Sequence, residues 1–400
     1  MFLKFAFRNL LRNKKRTFTS ALSVFTAAML VGVGYGWING VMDLYSEGFI
    51  KYQTGNVRVV TEGYESREKF MPLDEVIVNA DEIVSNIRKI EGVTSVEERV
   101  RFGILMGKDD NTVTAVGMGL DVKNNSFGFA DKMIEGGIAD HGIYLGVRLA
   151  ESLRLKVGEE ILIASKTSEG GLNGIKVKVA GIFKMKMAAF DKHYFFLNLA
   201  DAKKLLKIHK GATEIYAFTG RAEDSAKLRD QIKPLAGEGL SVKTYSEQMG
   251  GLDELLKMMK SIFFFIEIAI LALACFVIIN TMVMAIFERM REIGTLKALG
   301  FTEADLFVIF TGEGAMIGIL GGIPGALLGF LGIYMWSKTG INLEGMLKNV
   351  EMPIEYVIHP MLSLTDIFGV LAMATIVPIV SSMIPARYIR RYLPSDALRM

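Results

Sequence analysis

Apolar and polar positions fall into long, separate blocks along this chain. Four apolar runs stand out: TFTSALSVFTAAMLVGVGYGWINGV (17–41), SIFFFIEIAILALACFVIINTMVMAIF (261–287), FVIFTGEGAMIGILGGIPGALLGFLGIYM (307–335) and LTDIFGVLAMATIVPIVSSMIP (364–385). Each exceeds the ~20 residues a helix needs to cross a hydrocarbon layer, and buried core helices rarely run so long without charge. All four therefore read as transmembrane helices. Between them, 288–306 and the tail 386–400 are short and charged, and 336–363 is a short loop. The stretch 42–260 is long enough for a folded core of its own.

Within 42–260 the period shortens. GNVRVV (55–60) and NTVTAVGM (111–118) read as strands. GIKVKVAGIF (174–183) alternates Ile175, Val177 and Val179 with Lys176 and Lys178, a strand with one wet face. NADEIVSNIRKIEG (79–92) reads as a helix with Ile83, Ile87 and Ile90 on one side and Gly92 as its stop. LADAKKLLKI (199–208) and AEDSAKLRDQIKPLAG (222–237) also read as helices. This order suggests a split βαβ part at 55–120, a β-rich insert at about 135–200 and a return to αβ. The loop SKTSEGGLNG (165–174) is polar and Gly-rich, and is expected to be mobile. The predicted fold is a helical membrane protein: four transmembrane helices, with a large α+β extracytoplasmic domain inserted between the first and second.

Composition agrees with this segregation. The 400 residues are 51% hydrophobic with a mean hydropathy of +0.34, yet 22% are charged. A net charge of +3 is too small to point to a nucleic-acid partner. The one cysteine, Cys275, excludes an intrachain disulfide, and with four histidines it leaves too few ligands for a zinc cluster. Charge also sets orientation. Lys4, Arg8, Arg12, Lys14, Lys15 and Arg16 precede the first run; Arg289, Arg291 and Lys297 occupy 288–306; Arg387, Arg390, Arg391 and Arg399 lie in the tail. The positive-inside rule makes these three regions cytoplasmic, with both termini inside and 42–260 outside, since long domains are translocated regardless of charge. The first run is too long for a signal peptide and no convincing small-residue cleavage site follows it, so it reads as a retained anchor.

Catalytic signatures are missing. GxxxxGK[ST], HExxH and GxSxG do not occur, and His141, His193, His209 and His359 are scattered. An enzyme is the weaker class of reading, and nothing in the chain calls for a cofactor or a metal. The segment ERMREIGTLKALGFTEADL (288–306) is more informative. Glu288 and Glu292 form charge pairs with Arg289 and Arg291 near helical spacing. Ile293, Leu296 and Leu299 form an apolar stripe, Gly300 stops the helix, and Thr302 caps the next one with Asp305 three residues on. This describes a short amphipathic helix on the cytoplasmic surface, expected to dock a cytoplasmic partner rather than to be a solvated turn that merely keeps the loop inside. Gly314, Gly318 and Gly322, and one step round Gly321, Gly325 and Gly329, make two small-xxx-small faces suited to close helix approach, within one chain or in a dimer. Glu267 and Glu313 are intramembrane acids by position, costly and often functional. Glu313 is about two turns from the cytoplasmic end, within reach of a nearby arginine. Pro378 and Pro385 are expected to bend or end the fourth span.

The stretch 288–306 resembles the cytoplasmic coupling segment of ABC-transporter permeases of the macrolide-exporter and lipoprotein-releasing type, the group that also contains the cell-division permease. FAFRNLLRNKKRT (5–17) resembles the amphipathic helix before their first span, AGIFKMKMAAFDKHYFFLNLADAKKLL (180–206) the end of their outside subdomain, and IPARYIRRYLPSDALR (384–399) their C-terminal signature. The apolar runs set boundaries at 1–16, 17–41, 42–260, 261–287, 288–306, 307–335, 336–363, 364–385 and 386–400, and the resemblance implies that 1–16 is a cytoplasmic amphipathic helix and 288–306 the coupling helix. It implies that Glu288, Arg289, Arg291, Glu292, Ile293, Leu296, Lys297, Leu299 and Gly300 meet the ATPase. It further implies that 43–54 and 246–260 act as stalks, the latter as one unbroken lever into the second span. ATP and magnesium would sit on a separate cytoplasmic ATPase dimer. The other implied partners are a second permease chain, identical or homologous, the lipid bilayer and a periplasmic lipoprotein carrier.

Cargo is least determined. Layout matches the lipoprotein-releasing members, which free lipoproteins from the inner membrane of a bacterium for localisation to the outer membrane. The stretch aligned with their carrier-docking hook, Ser168, Glu169, Gly170, Gly171, Leu172 and Asn173, is short and lacks proline. The alternatives are export of another amphiphile, in the macrolide-exporter manner, or a mechanical signal transducer that activates a cell-wall hydrolase and transports nothing.

Overall fold

A computed structural model describes residues 8–10, 12–108, 111–185, 187–343, 345 and 357–388. The first residues of the expected amphipathic helix, residues 344 and 346–356 of the loop 336–363, and the tail beyond 388 lie outside the described residues. The chain forms two compact units. One takes the chain up to Met42, Leu255–Ile341 and the chain from Ile358; the other centres on Asp43–Glu254.

The first unit is a bundle of four long helices, Lys14–Phe49, Gly251–Glu288, Glu303–Thr339 and Leu364–Tyr388, each long and apolar enough to cross a membrane. The fourth runs through Pro378 and Pro385 rather than ending at them. The glycines of the third helix decide how the bundle closes. A Cβ at Gly314 would meet Ser382 and the Pro378 carbonyl; one at Gly318 would meet Pro378, and one at Gly322 would meet Ala374. That face lies on the fourth helix. On the other face, a Cβ at Gly321, Gly325 or Gly329 would fall on the backbone of Ala21, Phe25 or Met29 of the first helix. Both glycine faces are therefore covered within the chain, and neither is left for a second copy. In lipid, where hydrocarbon tails compete with apolar contacts, such backbone proximity is what holds helices together.

The second unit, the head, is built on ten strands: β1 (Val57–Thr61), β2 (Val93–Lys108), β3 (Asn111–Leu120), β4 (Met133–Gly136), β5 (Ile143–Gly146), β6 (Glu160–Lys166), β7 (Leu172–Phe183), β8 (Tyr194–Asn198), β9 (Glu214–Thr219) and β10 (Leu240–Thr244). β2 pairs with β3 on one side and, over Ile104–Gly107, with β6 on the other. From there β3 pairs with β8, β8 with β5, β5 with β7 and β7 with β6. Six strands thus close into a ring. Strand alternation fills it: Phe102, Ile104, Met106, Ile161, Ile163, Val179, Phe195 and Leu197 are buried in one core, and Phe102 meets Phe195 edge-on at 5.8 Å. Gly117 is required there, because a Cβ would strike both rings.

The N-terminal half of β2 leaves the ring to pair with β9, and β1 sits between β9 and β10. Helices Ala80–Ile87 and Ser225–Ala236 cover this open sheet. Ile83, Ile87, Leu228 and Ile232 bury against Val57, Val59, Ile215 and Ala217. A fully buried side chain of this kind contributes roughly 1.5–3 kcal/mol. A third core is aromatic. A π-helical turn, Ile50–Thr54, ends the first long helix and delivers Tyr52 among Phe127 (5.5 Å) and Phe190 (5.7 Å), in a cluster with Phe129, Phe183 and Phe196.

Two expectations change. The polar loop is tied down: Thr167 N donates to Gly171 O, while Ser168 N and Oγ donate to Leu206 O and Lys207 O, both at 2.9 Å. The helix entering the second span is not continuous from 246. Tyr245–Met249 is a separate short helix with its own capping box at Thr244, and Gly250 (φ +53) breaks the chain before Gly251 starts the long one.

Candidate functional site

The charged segment between the second and third long helices is a corner built by three local signals. The second helix ends at Glu288 because Arg289 leaves helical conformation (φ −109°, ψ 17°) and its N–H donates to Ile286 O at 3.1 Å. A short helix, Met290–Ala298, follows, and Gly300 (φ +95) stops it. Thr302 then starts the third long helix with a reciprocal box: its Oγ1 accepts from Asp305 N, and Asp305 Oδ2 accepts from Thr302 N at 2.8 Å.

The expected apolar stripe divides. Ile293 is buried with Met290 against Leu10, Ile286, Leu306 and Phe310, and Leu296 packs partly on the same cluster. Leu299 is 73% exposed, with Gly300, Arg291 and Glu292 also exposed and Lys297 half-buried. Only the far end of the stripe faces outward, because the short helix also has to seat on its own bundle.

The charges pair differently from expectation. Arg289 interrupts the helix, so Glu288 is cut off from the short helix that carries Arg291 and Glu292. Glu292 instead accepts both contacts from Arg12 Nη2 (2.6 and 2.7 Å), and Glu288 accepts from Arg16 at 3.2 Å. Arg289, expected on the docking face, is only 4% exposed; its Nη1 donates to Glu313 Oε1 at 3.0 Å. Asn9 Nδ2 donates to the same oxygen at 2.8 Å, and Arg289 Nη2 donates to Asn9 O at 3.3 Å. Glu313 thus has its nearby arginine. The basic run 8–16, read from sequence as an orientation signal and part of an amphipathic helix, supplies partners to the corner.

Glu267, the other acid, lies on the second helix, 6% exposed, and its Oε1 has no hydrogen-bond partner among the described residues. It lines an open cleft of about 400 Å³ with Tyr35, Ile38, Phe263 and Phe264, and with Lys257 and Lys260. The cleft is apolar with charged groups spaced along one helix, which suits a molecule with both a greasy and a polar part.

The head carries a buried ionic cluster that sequence reading missed. Arg58 donates to both oxygens of Glu68 (2.7 and 2.9 Å), and Arg101 donates to Glu68 Oε1 at 2.7 Å. Burial disfavours the charged form of Glu68, but hydrogen bonds and charge from Arg58 and Arg101 override it and hold its pKa at about 2. Glu214 is fully buried between Arg58 (3.9 Å) and Arg101 (3.4 Å) and accepts from the hydroxyls of Tyr64 and Tyr216. Burial opposes its charge too, and the same arginines win, keeping its pKa below the ordinary value. Nearby, Arg99 stacks over Phe127 (4.4 Å) and Tyr216 (4.3 Å) and bonds Glu97 and Ser126; Ser126 Oγ in turn donates to Lys51 O. The cluster thus fastens the sheet to the π-helical turn. The loop residues Ser168, Glu169, Gly170, Gly171, Leu172 and Asn173 sit at the β6–β7 turn. Glu169 pairs with Lys207 at 3.1 Å, Asn173 donates to Leu205 O, and Leu172 is 87% exposed.

Two family models match the chain: a MacB-like periplasmic core domain over residues 17–235 and an FtsX-like permease C-terminal region over 264–394. Among curated proteins, an uncharacterized ABC transporter permease of Methanocaldococcus jannaschii is 28% identical over 252 residues, 61% of this chain and 58% of that one. A lipoprotein-releasing system transmembrane protein, LolC, of Xylella fastidiosa is 24% identical over 277 residues, 65% of each chain. The pyoverdine export ATP-binding/permease protein PvdT of Pseudomonas fluorescens is 23% identical over 346 residues, 82% of this chain and 48% of that one. The chain thus spans less than two thirds of the length of each of these relatives.

Proposed function

This chain belongs to the permease family in which a MacB-like periplasmic core domain precedes an FtsX-like C-terminal region, and from that premise we propose that it is the permease subunit of an ABC transporter, passing force from a separate cytoplasmic ATPase to its head. ATP and magnesium belong to that partner, since this chain has no P-loop. The protein sits in a bacterial cytoplasmic membrane with both termini inside, and two permease chains, identical or homologous, face an ATPase dimer. It is not itself an enzyme.

The observation that carries this reading is the corner at 288–302. A short helix is rooted in the bundle by Met290 and Ile293, while Leu299 and the solvent-exposed Arg291 and Glu292 lie at its surface. A connecting turn needs no such rooted, half-exposed helix; a contact that must transmit force does. The test is Leu299→Asp, which changes an exposed side chain and leaves the bundle core intact. Loss of ATPase co-purification is expected, and retention at the wild-type level would refute the docking assignment. Leu296→Asp is less clean because Leu296 also packs inward.

For cargo, we favour lipoproteins released from the membrane, with a periplasmic carrier as receiver. The support is the likeness to a protein named as part of a lipoprotein-releasing system, together with the cleft that places Glu267 and two lysines around Phe263, Phe264 and Ile38. Mass spectrometry of lipid-modified proteins copurified with the complex tests it; their absence, with another amphiphile present, would favour export of that amphiphile. The pyoverdine exporter's match over 82% of this chain keeps that second reading in view. A purely mechanical transducer acting on a cell-wall hydrolase is distinguished by the absence of any copurified amphiphile.

A further inference from the structure

Arg289 occupies an unusual place. It is the single residue between two helices, its backbone lies in the sparsely allowed bridge region, and its side chain points into the bundle instead of out of the bend. A bend residue that served only to reverse the chain needs no guanidinium, and burying one is costly unless it is paired. Here it is paired to Glu313, itself 1% exposed and eleven residues into the third helix from its Glu303 start. Asn9 completes the arrangement by donating to the same carboxylate oxygen while its carbonyl accepts from Arg289. Three chain segments that meet nowhere in sequence are thus joined at one buried point: the stretch before the first span, the corner, and the third span.

We propose that Arg289, held by Glu313 and Asn9, is a positioning residue that fixes the angle between the second span and the short helix Met290–Ala298, so that a push on that helix moves the first, second and third spans as one body. The geometry of the pin belongs to this chain alone; only its use in transport rests on the reading given above. Two surface ion pairs bracket the corner and report on it. Arg16–Glu288 joins the first span to the residue before the bend, and Arg12–Glu292 joins the same N-terminal stretch to the helix after it. Loss of the pin frees the helix after the bend and leaves the residue before it in place.

The experiment uses the full chain in native membranes with Cys275→Ser as background. Two cysteine pairs are made separately, Arg16→Cys with Glu288→Cys and Arg12→Cys with Glu292→Cys, and each is bridged with a short bismaleimide. With Glu313→Ala added, bridging of the 12/292 pair is expected to fall by about tenfold or more, because a buried guanidinium left unpaired shifts the local equilibrium at least that far. Bridging of the 16/288 pair is expected to stay within about twofold. The exchange Arg289→Glu with Glu313→Arg restores the 12/292 pair. Asn9→Ala, which strands no buried charge, gives a smaller fall at 12/292 alone. Retention of both pairs in Glu313→Ala would overturn the proposal, and so would parallel loss of both, which marks a general structural role. Neither readout needs the ATPase or a cargo. A docking assignment that fails with the bridging pattern intact therefore leaves the pin standing.

Discussion

Replacing Gly325 by alanine separates helix propensity from helix contact. Alanine is the better helix former by about 0.8–1 kcal/mol, so at an open position the change stabilises. Gly332 is such a position: it lies two turns along the same helix, and a Cβ there meets nothing within 4 Å among the described residues. At Gly325 the new methyl falls on the carbonyl and Cα of Phe25, backbone atoms that cannot rotate away. The first and third helices must then separate, and overpacking of this kind costs about 1–3 kcal/mol. Propensity contributes equally to both variants, so their difference is the contact term alone, about 1–3 kcal/mol. At roughly 2–4 °C per kcal/mol for a unit of this size, that is a gap of about 2–12 °C in Tm. The two tryptophans, Trp37 in the first helix and Trp336 at the end of the third, make intrinsic fluorescence a direct monitor in detergent. Gly332→Ala should melt at or above wild type and Gly325→Ala below it. Equal melting temperatures would refute the assignment of this glycine face to the first helix.

Further outcomes follow from the head. Tyr52→Ala removes an aromatic side chain that is 1% exposed, at a cost of about 3–5 kcal/mol, read as a lowered urea midpoint of the head. Glu214→Gln leaves Arg58 and Arg101 facing a neutral group; a loss of about 3–5 kcal/mol is expected, whereas a loss under 1 would show that Glu68 alone satisfies both arginines. Because the folded pKa of Glu68 is depressed to about 2, its contribution is fully present above the ordinary glutamate value and disappears as pH falls from about 4.5 towards 2. The Glu68→Gln head should therefore lose less stability than wild type across that window in acid titration followed by circular dichroism.

The four spans and the corner were legible because long apolar runs, Gly300 and the Thr302–Asp305 cap are local signals. So were the helices around Ile83 and Ile87 and at 199–208. The longest strand, β2, was not. Its segment VEERVR places Glu97, Arg99 and Arg101 among apolar residues, and charge at those positions hides the alternation. Only the fold shows that Arg99 is sandwiched between rings and Arg101 sits beside Glu214. Closure of the ring through β6 was equally invisible, since pairing between β2 and β6 is set by contacts far apart in sequence. The glycine faces were readable as faces but not as to what covers them; one sequence carries no record of which helix lies opposite. Arg289 misled because helical spacing was carried across a residue that is not helical.

The position of β1 between β9 and β10 constrains how the protein is made. β1 emerges directly after the first span, yet both strands that hydrogen-bond it are encoded more than 150 residues later, the second ending at Thr244, just before the second long helix begins at Gly251. At about 5–20 residues per second, the ribosome leaves that strand without partners for roughly 10–40 s. During this wait Val57, Val59 and Val60 are an exposed β-forming segment tethered beside the bilayer. The head can finish folding only as the second span is being delivered, so insertion of that span and closure of the open sheet are consecutive events in biogenesis. A stall between them would yield an aggregation-prone nascent chain rather than a half-folded domain.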